Sequence, residues 1–177
     1  MNLIVGAPSW LIAVLVLALL AAAIEDALRF RISNITCAVV FVTAIVAAGI
    51  HGLSPSLWQN ALICVAILAI GTWAFTAGWM GGGDIKLLAA IGLWLNLSSV
   101  AGLLAAVFLA GGLVAIVYIV GRRVVRRDRK SSSRKGRVPY GVAIVVGAFF
   151  VFATQLNQRP SNAFVDQIRA KQAAERR

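Results

Sequence analysis

Two aspartates dominate the chemistry available to a chain of 177 residues that carries only six acidic side chains. Asp84 is the single acidic residue between Asp26 and Asp128, and it directly follows Gly81-Gly82-Gly83. Asp26 closes the first apolar stretch. An ionisable carboxyl at the edge of an apolar span is costly, and its default reading is functional. Two carboxyls that share a site cannot both ionise cheaply, so one keeps its proton while the other acts as a base. Such a pair suits amide hydrolysis. The ionised carboxylate takes a proton from a water as it attacks the scissile carbonyl, and the protonated partner donates to the developing oxyanion and later helps the amine leave. The protons belong to the pair, so neither aspartate is assigned permanently as acid or base.

The elements that must position this pair follow from composition. Hydrophobic residues make up 60% of the chain and charged residues 13%, and the mean hydropathy is +0.89. A water-soluble surface cannot be assembled from that mixture. The expected fold is all-α, a polytopic membrane protein with about six transmembrane helices: one membrane domain over residues 1–156 and a polar tail over 157–177. The apolar stretches run from Trp10 to Ile24, Ile35 to Ile50, Asn60 to Gly78, Ile85 to Leu95, Val100 to Val120 and Val138 to Leu156. The fourth is short for a span of ~20 helical residues, which carries Asp84 toward the membrane.

Charge sets the expected orientation. No Lys or Arg precedes Arg29, so the first stretch lacks the basic start of a signal peptide and is kept as a span. Arg29 and Arg31 after it place its N-terminus outside. Six alternating spans then put Arg29, Arg31, Lys86 and the nine basic residues of Arg122 to Arg137 inside, twelve of seventeen, and leave the basic tail outside against the rule. Trp10, Trp58 and Trp94 fall at expected outer ends and Trp79 at an inner end, as in an aromatic belt. Asp26 and Asp84 both come out at cytoplasmic ends. Gly81, Gly82 and Gly83 are read as an active-site loop: they open backbone angles closed to other residues and leave room for an extended strand. The plainer reading is a turn in which Asp84 caps a helix.

Three ordered blocks carry a resemblance. Asp26-Ala-Leu-Arg-Phe-Arg-Ile-Ser-Asn34, then Gly-Gly-Gly-Asp84-Ile-Lys-Leu-Leu, then Val138-Pro-Tyr-Gly-Val-Ala-Ile144 resemble the type IV prepilin peptidases, which are GxGD intramembrane aspartyl proteases. Ser33 departs from the pattern, since that family usually has proline in an Ile-Pro-Asn turn. The resemblance implies that Asp26 and Asp84 are the catalytic aspartates, that no metal or other cofactor is needed, and that the partner is a prepilin or pseudopilin cut on the cytoplasmic side of a bacterial inner membrane, after the glycine ending a basic leader. Larger members also methylate the new amino terminus with S-adenosylmethionine and carry an extra domain with Cys-x-x-Cys pairs. Cys37 and Cys64 stand alone in apolar stretches. The chain therefore resembles the small members of Flp, or tight-adherence, pilus systems, and methyl transfer is not expected. Alternatives are a related enzyme acting on preflagellin-like leaders, a small proton-coupled transporter with two membrane carboxyls, and an idle assembly scaffold.

Other residues carry lesser expectations. Glu25 should face away from Asp26 in a solvated interfacial role, and Lys86 should snorkel to the cytoplasmic surface rather than tune the pair. A lone His51 is not a metal site. Cys37 and Cys64 read as small packing residues, and Gly102, Ala106 and Ala110 as a face for close helix packing. The Arg122 to Arg137 loop lacks interleaved aromatics, which argues against nucleic acid and for anionic lipid headgroups. The sequence leaves open whether the tail forms an amphipathic surface helix, and it leaves the oligomeric state undetermined.

Overall fold

The computed structural model describes residues 2–52, 57–125 and 140–157. They form a short α1 (Leu3–Gly6) and six further helices: α2 (Ser9–Arg29), α3 (Asn34–His51), α4 (Leu57–Thr76), α5 (Gly82–Gly92), α6 (Leu97–Val125) and α7 (Tyr140–Asn157). Chain chemistry sets several of the boundaries. Pro8, with its φ held at −60°, precedes α2, and Phe30 closes that helix in the left-handed conformation. Ser33 is the N-cap of α3, its hydroxyl accepting from the Ile35 N–H at 3.1 Å.

Hydrogen bonds at the two ends of the bundle show how the helices alternate. At one end the Leu3 N–H donates to the Trp94 carbonyl, Asn2 donates to Gln155, and Gln155 donates to Ser99. At the other end the Val142 N–H reaches Asp26, Lys86 reaches Asn34, and the Cys37 thiol reaches the Gly83 carbonyl. The starts of α2, α4 and α6 thus share one end with the finishes of α3, α5 and α7. Asp26 and Asp84 share the opposite end.

Five helices, all but α1 and α5, are long and apolar enough to cross a membrane. The sixth traverse is α5, whose 11 residues rise only ~16 Å. It succeeds because it lies inside the bundle, against α3, α4 and α7, with Leu87, Ala89, Ala90 and Ile91 buried. The residues that follow it, 93–95, carry carbonyls that the helix itself does not satisfy. Asn60 of α4 meets that need, its amide donating to the Leu93 and Leu95 carbonyls at 2.9 and 3.1 Å. Outside this centre, α4 and α6 present apolar side chains such as Ile70 and Phe108 outward, the surface expected against lipid tails.

Packing corrects two expectations. Trp94 is not part of an aromatic belt: it is 0% exposed and donates its indole N–H to the Val40 carbonyl at 3.3 Å. Trp10, Trp58 and Trp79 are exposed, as belt residues are. Gly102 faces open space, and the close approach of α6 to α7 lies instead at Gly147, against the Val107 backbone. Residues 126–139 and the tail beyond Asn157 lie outside the described residues, and with them the amphipathic tail helix and most of the expected Arg122 to Arg137 loop; residues 122–125 of that stretch continue α6.

Replacing Asn60 by Leu should leave buried carbonyls at the end of α5 without a donor. A cost of about 1–3 kcal/mol is expected, seen as a lower unfolding midpoint of the purified protein in detergent.

Candidate active site

Asp26 lies in the last turn of α2 and is 4% exposed. A carboxylate buried this deeply requires donors. The first turn of α7 provides one, because the leading N–H groups of a helix have no partner within it. The Val142 N–H donates to Asp26 Oδ2 at 3.1 Å, across 116 positions of sequence. Gly141 makes the approach possible. A β-carbon there would sit 2.9 Å from both Cγ and Oδ2 of Asp26, and 2.7 Å from Ile32 Cδ1. The third sequence block thus holds residues that sequence reasoning did not place in the site, although the glycine directly before Val142 was the available signal.

Asp84 occupies the first turn of α5, half-buried, and its Oδ2 accepts from the Gly81 N–H at 3.3 Å. The helix-capping role is therefore real, and it coexists with a second property. Asp84 also lines the cavity that lies between the α2–α3 turn and the glycines. Packing links the surroundings of the two carboxyls: Ile32 lies against Gly141, beside Asp26, on one side and against Gly83, beside Asp84, on the other.

None of Gly81, Gly82 and Gly83 adopts a left-handed backbone. The conformational freedom expected of them is not used; at Gly83 the requirement is space. A β-carbon on Gly83 would stand 3.1 Å from the Ile32 carbonyl oxygen, a separation at which the α2–α3 turn would have to yield. The Cys37 thiol donates to the Gly83 carbonyl at 3.6 Å, so this cysteine helps to hold the turn as well as filling space.

Residues 30–33 between α2 and α3 are fastened from several sides. Glu25, half-buried, accepts from the Ser33 N–H at 2.7 Å and from the Thr36 hydroxyl at 3.1 Å. It faces away from Asp26 as expected, yet it is a fastener more than a solvated surface residue. Ser33 has φ −67°, a value proline also adopts. Here the N–H that proline lacks is the donor to Glu25. Lys86 is exposed and donates to Asn34 Oδ1 at 3.0 Å, tying α5 to the start of α3. His51 ends α3 at the far end of the bundle.

Between this turn and the glycines lies a cavity of about 570 Å³, lined by Glu25, Arg29, Phe30, Arg31, Ile32, Ser33, Asn34, Gly81, Gly83 and Asp84. Asp84 opens onto it, while Asp26 sits behind, under the start of α7. Among the described residues, no group of three or more His, Cys, Asp or Glu side chains is placed to hold a metal ion.

Fold and site together define a helical membrane protein with two carboxyls at one end and a cavity beside them. Residues 13–119 match the model of the type IV leader peptidase family, a stretch that contains Asp26, Asp84 and more than half of the chain. The chain belongs to that family and is, at family level, an aspartic-type leader peptidase. Membership also decides against the transporter reading at the level of class. Comparison with curated proteins gives no match, and comparison with solved structures gives none.

Gly141→Val should displace the Asp26 carboxyl or the first turn of α7, since no rotamer removes the added Cβ. Activity should fall by about two orders of magnitude or more, as for other misplaced catalytic groups, with membrane insertion intact by fractionation. Val142 can be replaced by Ala with little loss, because only its backbone N–H is used.

Proposed function

We propose that Asp26 and Asp84 are the catalytic pair of a leader peptidase that removes the basic leader of Flp-like prepilins or pseudopilins, cutting after a glycine on the cytoplasmic side of a bacterial inner membrane. The observation that carries this reading is the placement of both carboxyls at one end of the bundle, where Ile32 packs beside each of them and Asp84 opens to the cavity. A scissile peptide lying in the cavity would meet Asp84 first. One carboxyl takes a proton from the attacking water and passes it to the leaving amine, while the other protonates the oxyanion and recovers that proton as the carbonyl re-forms, as a singly protonated pair allows. Gly81 and Gly83 line the path of the strand, and hydrogen bonds of such a site tighten when substrate is bound. The cytoplasmic placement rests on the charge pattern, with Arg29, Arg31 and Lys86 at the same end as the pair.

Methyl transfer is not part of the proposed function. Hydrolysis by two carboxyls uses water alone, so cleavage should proceed without S-adenosylmethionine and leave an unmethylated amino terminus.

Purified protein incubated with a Flp-type precursor should release the leader, and mass spectrometry should place the cut after the glycine with no added methyl mass. Asp26→Asn and Asp84→Asn should each abolish cleavage while the protein still inserts; near-normal processing by either would remove that residue from the pair. Glu25→Gln should retain most activity, since its amide oxygen can accept the Ser33 and Thr36 bonds.

A further inference from the structure

Phe30 holds a conformation that its side chain disfavours. It is the C-cap of α2, with φ 53° and ψ 34°, and among the described residues no other non-glycine has a positive φ. Glycine is the usual residue at this place because a β-carbon crowds the carbonyl in the left-handed region. The turn itself needs only the backbone, whose Phe30 N–H donates to the Asp26 carbonyl at 2.9 Å. Folding alone would thus be served better by glycine.

The ring has a place in the cavity. The lining has two large apolar side chains, Phe30 and Ile32. Ile32 is only 9% exposed, committed to Gly83 and Gly141, whereas Phe30 is 40% exposed. The remaining walls are charged, polar or glycine. Phe30 is therefore the apolar surface that a bound peptide can reach. Its backbone bond to the Asp26 carbonyl also holds the Phe30 main chain one helical turn from that aspartate. Non-glycine residues held in this region are concentrated at sites where the side chain has a use.

We propose that Phe30 is a substrate-binding residue that sets specificity: its ring is the wall on which an apolar side chain flanking the scissile bond packs while the peptide lies beside Asp84. This rests on the peptidase reading of the site.

The test uses full-length protein in lipid nanodiscs and two synthetic precursors, each a basic leader, a glycine and an apolar segment. The residue after the glycine is Leu in one and Ser in the other. Phe30→Gly and Phe30→Asn, both suited to the left-handed turn, should raise the unfolding midpoint or leave it unchanged. They should raise KM for the Leu peptide about tenfold or more with little change in kcat, as expected for lost apolar contact in a pocket. For the Ser peptide, KM should be high in the wild type and nearly unchanged by either substitution. Phe30→Leu should restore much of the discrimination. Equal losses on both peptides, or an unchanged KM for the Leu peptide, would overturn the proposal and leave the ring as an interfacial anchor. A lowered midpoint in both variants would do the same, since the ring would then serve the fold. If the wild type cuts neither peptide, the peptidase reading of this site fails first, and the role of Phe30 fails with it.

Discussion

The hydrogen bond from the Val142 N–H to the Asp26 carboxyl, joined by the neighbouring Gly141 N–H, organises this molecule. It answers two problems at once. A carboxyl at the end of a long apolar helix needs a donor, and the first turn of α7 has N–H groups without partners. The positive end of the α7 dipole also favours a negative charge there. The bond joins chain segments 116 positions apart, and Gly141 is the residue that lets them meet.

The short α5 supplies the other half of the arrangement. A helix of 11 residues is too brief to span the hydrocarbon by itself, so it is packed within the bundle, and Asn60 satisfies the Leu93 and Leu95 carbonyls that follow it. Its first turn holds Asp84 half-buried while the cavity still reaches it.

The turn between α2 and α3 links these halves, and its means of support differ from the proline turn of the resemblance. Glu25 reaches over to the Ser33 N–H and the Thr36 hydroxyl, while the Ser33 hydroxyl caps α3. Side-chain bonds here take the place of a ring constraint. Ile32, held in this turn, is wedged between Gly83 and Gly141, so one side chain packs beside both aspartates.

Much was legible in the sequence, for local reasons. Apolar run lengths fix helices and membrane burial, because no other element satisfies its own backbone in lipid. The shortness of the fourth stretch, the type of the two acidic residues and their common end follow from counting runs and alternating directions. The parts that stayed hidden depend on contacts between distant segments. Trp94 looks like any tryptophan at a helix end until Val40 is seen beside its indole. Gly102 looks like a packing residue until its surroundings prove open, and Gly141 looks like a helix-start residue until Asp26 is found against it. Glu25 and Phe30 follow the same rule, for a side chain's neighbours across the bundle are set by how helices dock, and docking is a property of all the surfaces together. Sequence determined which groups could do chemistry here; only the tertiary packing decided which backbone N–H holds Asp26 and which walls surround Asp84.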